Sequence, residues 1–461
     1  MKKEGIRSFN AYYFLLILLF ISYLIFVNII SLKNPLFLVL TLLPLGVIGA
    51  SVIVLRPTLG IYAVLFLLPL EAIQIIYRNY ITVGKLVFLF TIIGYFFYFL
   101  IYFGRLKLNL NTYFKLYTLF VIYSFFNFIF RYEKGVPIRF ILSLISVYIL
   151  SFIFLQLINT RKKLENAYIF LGISFCISTL VSILQFITKK KIVPHAIITY
   201  DVATGIGKYS GTFLNPNTFA CFTILTLFIY LFFMNNSATK WKKIIFRFTF
   251  FAVLISIFFI NSTAGYLAII SSVFTYTFLK SKNKSLIIAF FIFFLMLFLA
   301  IPNPITERLS YRFKSEGKWR DNSTNKRLIL WTEAIHMFKD NPIFGIGFAK
   351  FKIGNKIYNE KLFKSQRRGI IVFDVAHNDY LNILSENGII GLGLYLSMIF
   401  SIIYKLYKKY KNCNDEYLKK WYISSLSTIV GLAIFQMFHT VYYINIVNLT
   451  LIAFSSDAIE R

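Results

Sequence analysis

The chain has 461 residues, 58% of them hydrophobic and 15% charged, against roughly 45–50% and about 25% for an ordinary soluble domain. A soluble enzyme is excluded. The formal charge of +31 would suit nucleic acid, but a chain this apolar leaves no aqueous face to bind one. A bilayer core about 30 Å thick takes about 20 apolar residues per helix, so the chain reads as an all-α polytopic membrane bundle.

The first apolar run, 11–30, follows Lys2, Lys3 and Arg7, is longer than a signal-peptide core and is followed by no small-residue cleavage site, which predicts an uncleaved first span. Further stretches of spanning length are expected at 34–55, 58–76, 83–103, 113–130, 138–157, 167–187, 212–234, 244–260, 264–279, 286–301, 380–404, 421–438 and 440–454. That makes about 12 to 14 spans, the last two forming either two spans or one span with a re-entrant piece. Three regions follow: a membrane bundle over 1–301, a long loop over 302–378 and C-terminal spans over 379–461. Cys176 and Cys221 fall inside apolar runs and Cys413 in a Lys-rich loop, so no disulfide framework is expected.

With a cytoplasmic N-terminus, alternate loops and their edges carry Arg56, Arg105 and Lys107, Arg161 to Lys163, Lys240 to Arg247, Lys280 to Lys284, and Lys405 to Lys420. The opposite loops carry only scattered charges such as Lys33, Arg78, Arg131 and Lys134. This alternation sets the orientation in the cytoplasmic (inner) membrane and accounts for much of the positive charge without an anionic partner. The loop 302–378 departs from the pattern: it holds fifteen basic and seven acidic residues, net +8, on the outer side. Long loops escape the charge rule, so that excess is either a solvated surface or an anion-binding one.

Within this loop, 325–341 has the pattern of an amphipathic helix lying on the membrane surface. Ile329, Leu330, Ala334, Ile335 and Phe338 form its apolar side, and Lys326, Arg327, Glu333 and Lys339 its polar side. Pro342, Gly345 and Gly347 then stop and turn the chain. His377 stands just before the next helix, with Asn378 or Asp379 as its N-cap. The positive end of that helix disfavours imidazolium, so His377 is either a neutral proton acceptor or a residue that helps cap the helix.

The segment His377-Asn378-Asp379-Tyr380-Leu381, running on to Glu386-Asn387-Gly388-Ile389-Ile390-Gly391, resembles the signature of the O-antigen ligase and O-antigen polymerase family of bacterial membrane glycosyltransferases. Upstream, Arg327, Trp331, Pro342, Gly345, Gly347 and Phe351 resemble that family's outer-loop pattern in order and spacing. Gly211-Thr212-Phe213-Leu214-Asn215-Pro216-Asn217 resembles its segment opening a middle span. The matches reach from about Lys208 to Leu396; the earlier chain matches only as a series of spans.

The resemblance implies transfer of a glycan from undecaprenyl diphosphate to an acceptor hydroxyl on the outer face of the membrane, without nucleotide, cofactor or metal. It implies as partners a lipid-linked oligosaccharide and a glycan or lipid acceptor. Under it Arg327, Arg320 and Lys208 would hold the diphosphate, His377 would take the acceptor proton, and Asn378, Asp379 and Glu386 would support them. This chain departs from the family at two places. Lys208 stands where the family usually has Arg, which keeps the charge and loses the planar fork. Ser262-Thr263-Ala264-Gly265 replaces a segment that often carries Arg.

Trp331 suits an interfacial anchor better than a sugar platform, and His195, His336 and His439 have no motif support. Against a transporter or flippase stand the absence of an internal repeat and the paucity of mid-span charges, Glu71 and Glu386 apart. Between the two enzyme activities the departures from the arginine pattern favour the polymerase, with the ligase as the alternative.

Overall fold

The computed structural model describes residues 47–77, 81–102, 110–200, 207–300, 323–363, 373–440 and 458–460. The expected first span over 11–30, the start of 34–55, all but the first residue of 440–454, and Arg320 lie outside the described residues.

Helix α1 (Val47–Leu55) bends by 119° into α2 (Pro57–Leu67), which continues as a 3-10 turn over Leu68–Leu70. The unbroken span expected at 58–76 therefore stops short. Pro69 offers no amide donor, its carbonyl accepts the Thr212 hydroxyl at 2.6 Å, and the Ala72 amide donates to the Thr212 carbonyl at 2.8 Å. A small hairpin, β1 (Ile75–Tyr77) with β2 (Ile81–Thr82), leads into α3 (Val83–Ile101). The helices α4 (Thr112–Phe130), α5 (Arg139–Leu157) and α6 (Arg161–Thr188) follow. A second hairpin, β3 (Ile198–Tyr200) with β4 (Gly207–Tyr209), precedes α7 (Pro216–Asn236), α8 (Lys240–Ile260), α9 (Thr263–Lys280) and α10 (Lys284–Ala300). Then come α11 (Ser323–Asp340), α12 (Phe351–Phe363), α13 (Asp379–Asn412) and α14 (Glu416–Gln436).

Polar caps fix where these apolar helices begin. The side chains of Asn111, Asn215, Ser262, Asn378 and Asp415 each accept a backbone amide of the first turn they precede. Among the described residues, α3, α4, α5, α6, α7 and α13 are long and apolar enough to cross a membrane, and the bent pair would make a seventh span. The all-α polytopic reading holds, with two short hairpins beside it among the described residues.

Burial sorts the spans. The apolar window of α7 is 83% buried and that of α3 only 22%, so α7 is surrounded by protein and α3 lies at the surface of the bundle. Close approach at the centre depends on small residues. A Cβ on Gly431 of α14 would meet the Ser272 hydroxyl of α9 at 1.9 Å, and Ala268 and Ser272 line the same seam. At the end where α6 and α14 begin, the Lys242 ammonium sits 2.8 Å from the buried Glu165 carboxylate. Arg161 also reaches Glu165, donates to the Asn236 carbonyl and stacks 4.2 Å over Tyr417. Two of the loop cations thus tie α6, α8 and α14 together.

Candidate functional site

At the opposite end of the bundle, the last turns of α4 receive the loop. The Asn127 amide donates to the Phe344 carbonyl at 2.7 Å and its oxygen accepts the Phe348 amide at 3.0 Å, while Arg131 donates to Asn341 and to the Gly345 carbonyl. Arg131, a scattered charge by sequence, is therefore an anchor of the turn between α11 and α12.

That turn locks onto α13 backbone against backbone. The Ile346 and Gly347 amides donate to the Ser385 and Glu386 carbonyls, and the Ile389 amide donates to Pro342, each at 2.9 Å. Gly388 breaks α13 with φ 65 and ψ −165. A Cβ there would lie 2.2 Å from the Ile343 carbonyl oxygen, and one on Gly345 would lie 2.3 Å from the Glu386 carbonyl carbon. Glu386 is 3% exposed and accepts the Phe351 amide at 2.8 Å, fixing the start of α12. Its place is in this joint, buried beside the equally buried Phe351.

Helix α11 forms where the sequence placed an amphipathic helix, but its buried side differs. Ile329, Leu330, Ala334 and Met337 are buried together with Glu333, whereas Ile335 is 40% exposed. The physical reason is its partner: α11 packs on α12 and α13, and two asparagines one turn apart on α12 satisfy the carboxylate. Asn355 and Asn359 both donate to Glu333, the latter at 2.8 Å. Burial pushes this carboxyl up to about 7, against the pull of the two amides.

His377 lies between this packing and the start of α13. Asn378, not Asp379, is the N-cap, accepting the Leu381 amide at 3.0 Å; Asp379 is the buried first residue of the helix. The Ala376 amide donates to the Asn382 side chain at 3.0 Å. His377 takes φ 53, a left-handed conformation that non-glycine residues adopt rarely. The Phe373 ring meets the imidazole edge to face, centroids 5.7 Å apart. Burial lowers the His377 imidazole to about 4, and the nearby Arg327 guanidinium pushes the same way. Burial, the larger cause, and the Arg327 charge both favour the neutral imidazole at physiological pH.

Arg327 and Lys208 arrive from separate segments. Lys208 is in β4, whose neighbour Gly207 offers its carbonyl to Asn261 at 3.5 Å. The following Gly211 has φ 60 and is seated under α6, exchanging two 3.0 Å hydrogen bonds with Gln185. One residue missed in the sequence joins them. His439, 4% exposed and tilted against the Phe435 ring with centroids 4.8 Å apart, lies within electrostatic reach of Arg327, His377 and Lys208. Burial first, then those charges, hold it well below the usual imidazole range. Its only sequence signal was position: a Lys-rich loop before α14 puts the far end of that helix on the same side as His377. Arg320 lies outside the described residues, and Asp374 pairs with Arg139 and Lys352 beside the site. Among the described residues no group of three His, Cys, Asp or Glu side chains is placed to hold a metal ion.

Such an arrangement defines a class: a polytopic all-α membrane protein with a basic, histidine-bearing site where a long loop folds back on the bundle. Residues 248–396 match the family model described as O-antigen ligase, and over that stretch the chain is similar to that family. No curated protein matches the chain. The family implies a glycosyl-transferring membrane enzyme.

Proposed function

We propose that the chain transfers a glycan from undecaprenyl diphosphate to an acceptor hydroxyl on the outer face of the cytoplasmic membrane, extending a repeat-unit polymer. The observation that supports this reading is that the Arg327 charge acts on His377, and that Arg327, His377 and Lys208, from three separate segments, all lie within electrostatic reach of His439. The acceptor oxygen attacks the anomeric carbon, the bond from that carbon to the diphosphate oxygen breaks, and the acceptor proton passes to neutral His377. Negative charge gathers on the departing diphosphate, where Arg327 and Lys208, with Arg320, stabilise it. The basic side chains then do what a divalent cation does in many sugar-nucleotide enzymes.

A second reading, a ligase that moves a finished glycan to a lipid or protein acceptor, is favoured by the description of the matched family model. Purified protein in detergent, given a lipid-diphosphate oligosaccharide and a chelator, separates the possibilities. A ladder of lengthened products supports the polymerase, and a single addition to a supplied lipid core supports the ligase. Failure to turn over in detergent, with movement of the lipid-linked glycan across vesicles instead, would replace the enzyme by a flippase.

A further inference from the structure

The backbone and rings around His377 hold it in place. Three contacts set that backbone: the Asn378 cap, the Asn382 bond to the Ala376 amide, and a bond from the Phe373 amide to the Asn355 side-chain oxygen at 2.8 Å. The first two belong to α13 itself. The third comes from α12, and it holds the residue whose ring packs on the imidazole.

An asparagine amide has one donating and one accepting end. Asn355 gives its nitrogen to the Glu333 carboxyl, which leaves its oxygen for the Phe373 amide. Asn359 donates to the other oxygen of the same carboxylate. We propose that Asn355, oriented by Glu333, is a positioning residue for His377, acting through Phe373. It rests on the reading of His377 as the base that takes the acceptor proton. It adds a relay, Glu333 to Asn355 to Phe373 to His377, that makes the docking of α12 on α11 part of the catalytic geometry.

The two asparagines supply their own control. Each alanine substitution removes one hydrogen bond to Glu333, but only Asn355→Ala also frees the Phe373 amide. In the full-length protein in detergent, Asn355→Ala lowers kcat about ten- to a hundredfold, the loss expected for a small misplacement of a reacting group. KM for the lipid-diphosphate oligosaccharide is unchanged. Asn359→Ala loses a similar amount of thermal stability and keeps its kcat. The exchanged-polarity pair Glu333→Gln with Asn355→Asp restores kcat, since glutamine can donate to the aspartate while the aspartate still accepts from Phe373. Hydrogen exchange over 373–378 quickens in Asn355→Ala and not in Asn359→Ala. Equal kcat per folded molecule in the two alanine variants overturns the proposal. If the wild type transfers no glycan, the reading of the function fails, and the exchange contrast alone then decides whether Asn355 positions the His377 segment.

Discussion

The protonation of His377 can be followed without any turnover, which makes it the sharpest test of the site. The imidazole is lowered from 6.5 to about 4, with burial as the larger cause and Arg327 as the smaller. Removing the Arg327 charge takes away only the smaller cause, so the midpoint in Arg327→Gln should rise but stay below the ordinary imidazole value. Arg327→Lys keeps a cation nearby and should leave the midpoint near the wild-type value. Diethyl pyrocarbonate reacts with neutral imidazole, so its rate of attack on His377 against pH, read by mass spectrometry of the modified peptide, reports the titration directly. In the same window kcat/KM should show a rising limb near pH 4 that is missing from His377→Ala. The sign for stability follows from linkage: the folded value lies below the unfolded one, so the unfolded chain binds more protons between them. Stability from this group is complete above pH 6.5 and declines as pH falls toward 4. A wild-type midpoint at the ordinary 6.5, or an Arg327→Gln midpoint identical to wild type, would refute the electrostatic picture of the site.

Turnover should respond to Arg327 more than to any other cation. Arg327→Ala should cost on the order of 2–4 kcal/mol in the transition state and Arg327→Lys only part of that, and normal turnover in a folded Arg327→Ala protein would remove it from the diphosphate site. For sidedness, cysteine at Ile357, which is 56% exposed on α12, should label with an impermeant thiol reagent added outside cells, and native Cys413 should not; the reverse pattern would invert the topology. At the other end of the bundle, Glu165→Ala strands the buried Lys242 ammonium and should destabilise by about 3–5 kcal/mol, whereas Glu165→Leu with Lys242→Met should recover most of the loss in thermal unfolding. An unchanged melting temperature in Glu165→Ala would show that the pair is solvated.

The spans and the histidine segment were legible because both rest on local pattern. Hydropathy over about twenty residues finds a helix such as Thr112–Phe130 regardless of its neighbours. The same count overran at 58–76, since it adds up apolar residues and does not register Pro69 and the Thr212 bonds that end the helix. Glu333 was misread for a related reason. An amphipathic pattern assigns a charge to water, and the two asparagines that make its burial tolerable lie 22 and 26 residues away. His439 carried no motif at all, and only its electrostatic proximity to Arg327 and His377 brings it into the site. The roles of Gly345 and Gly388 were visible as motif letters without a contact, because what they permit is a close approach of two backbones distant in sequence.

That approach has a consequence for chemistry as well as for stability. Arg327 is carried by α11 and His377 by the start of α13, and the turn after α11 is fastened to α13 by the Ile346, Gly347 and Ile389 amides. The separation of the cation from the base is therefore set by the joint around Gly345 and Gly388. Gly345→Ala places a methyl 2.3 to 2.4 Å from the Glu386 carbonyl group and asks alanine to adopt φ 69. The left-handed conformation alone costs roughly 1–2 kcal/mol, and the clash forces the turn away from α13. Gly345→Ala protein that still folds should melt at a lower temperature. Its His377 should also titrate higher than wild type, because displacement of α11 takes the Arg327 charge with it. A variant that melts normally would show that the joint yields easily. One that is destabilised while His377 titrates as in wild type would show that Arg327 is held by something other than this turn.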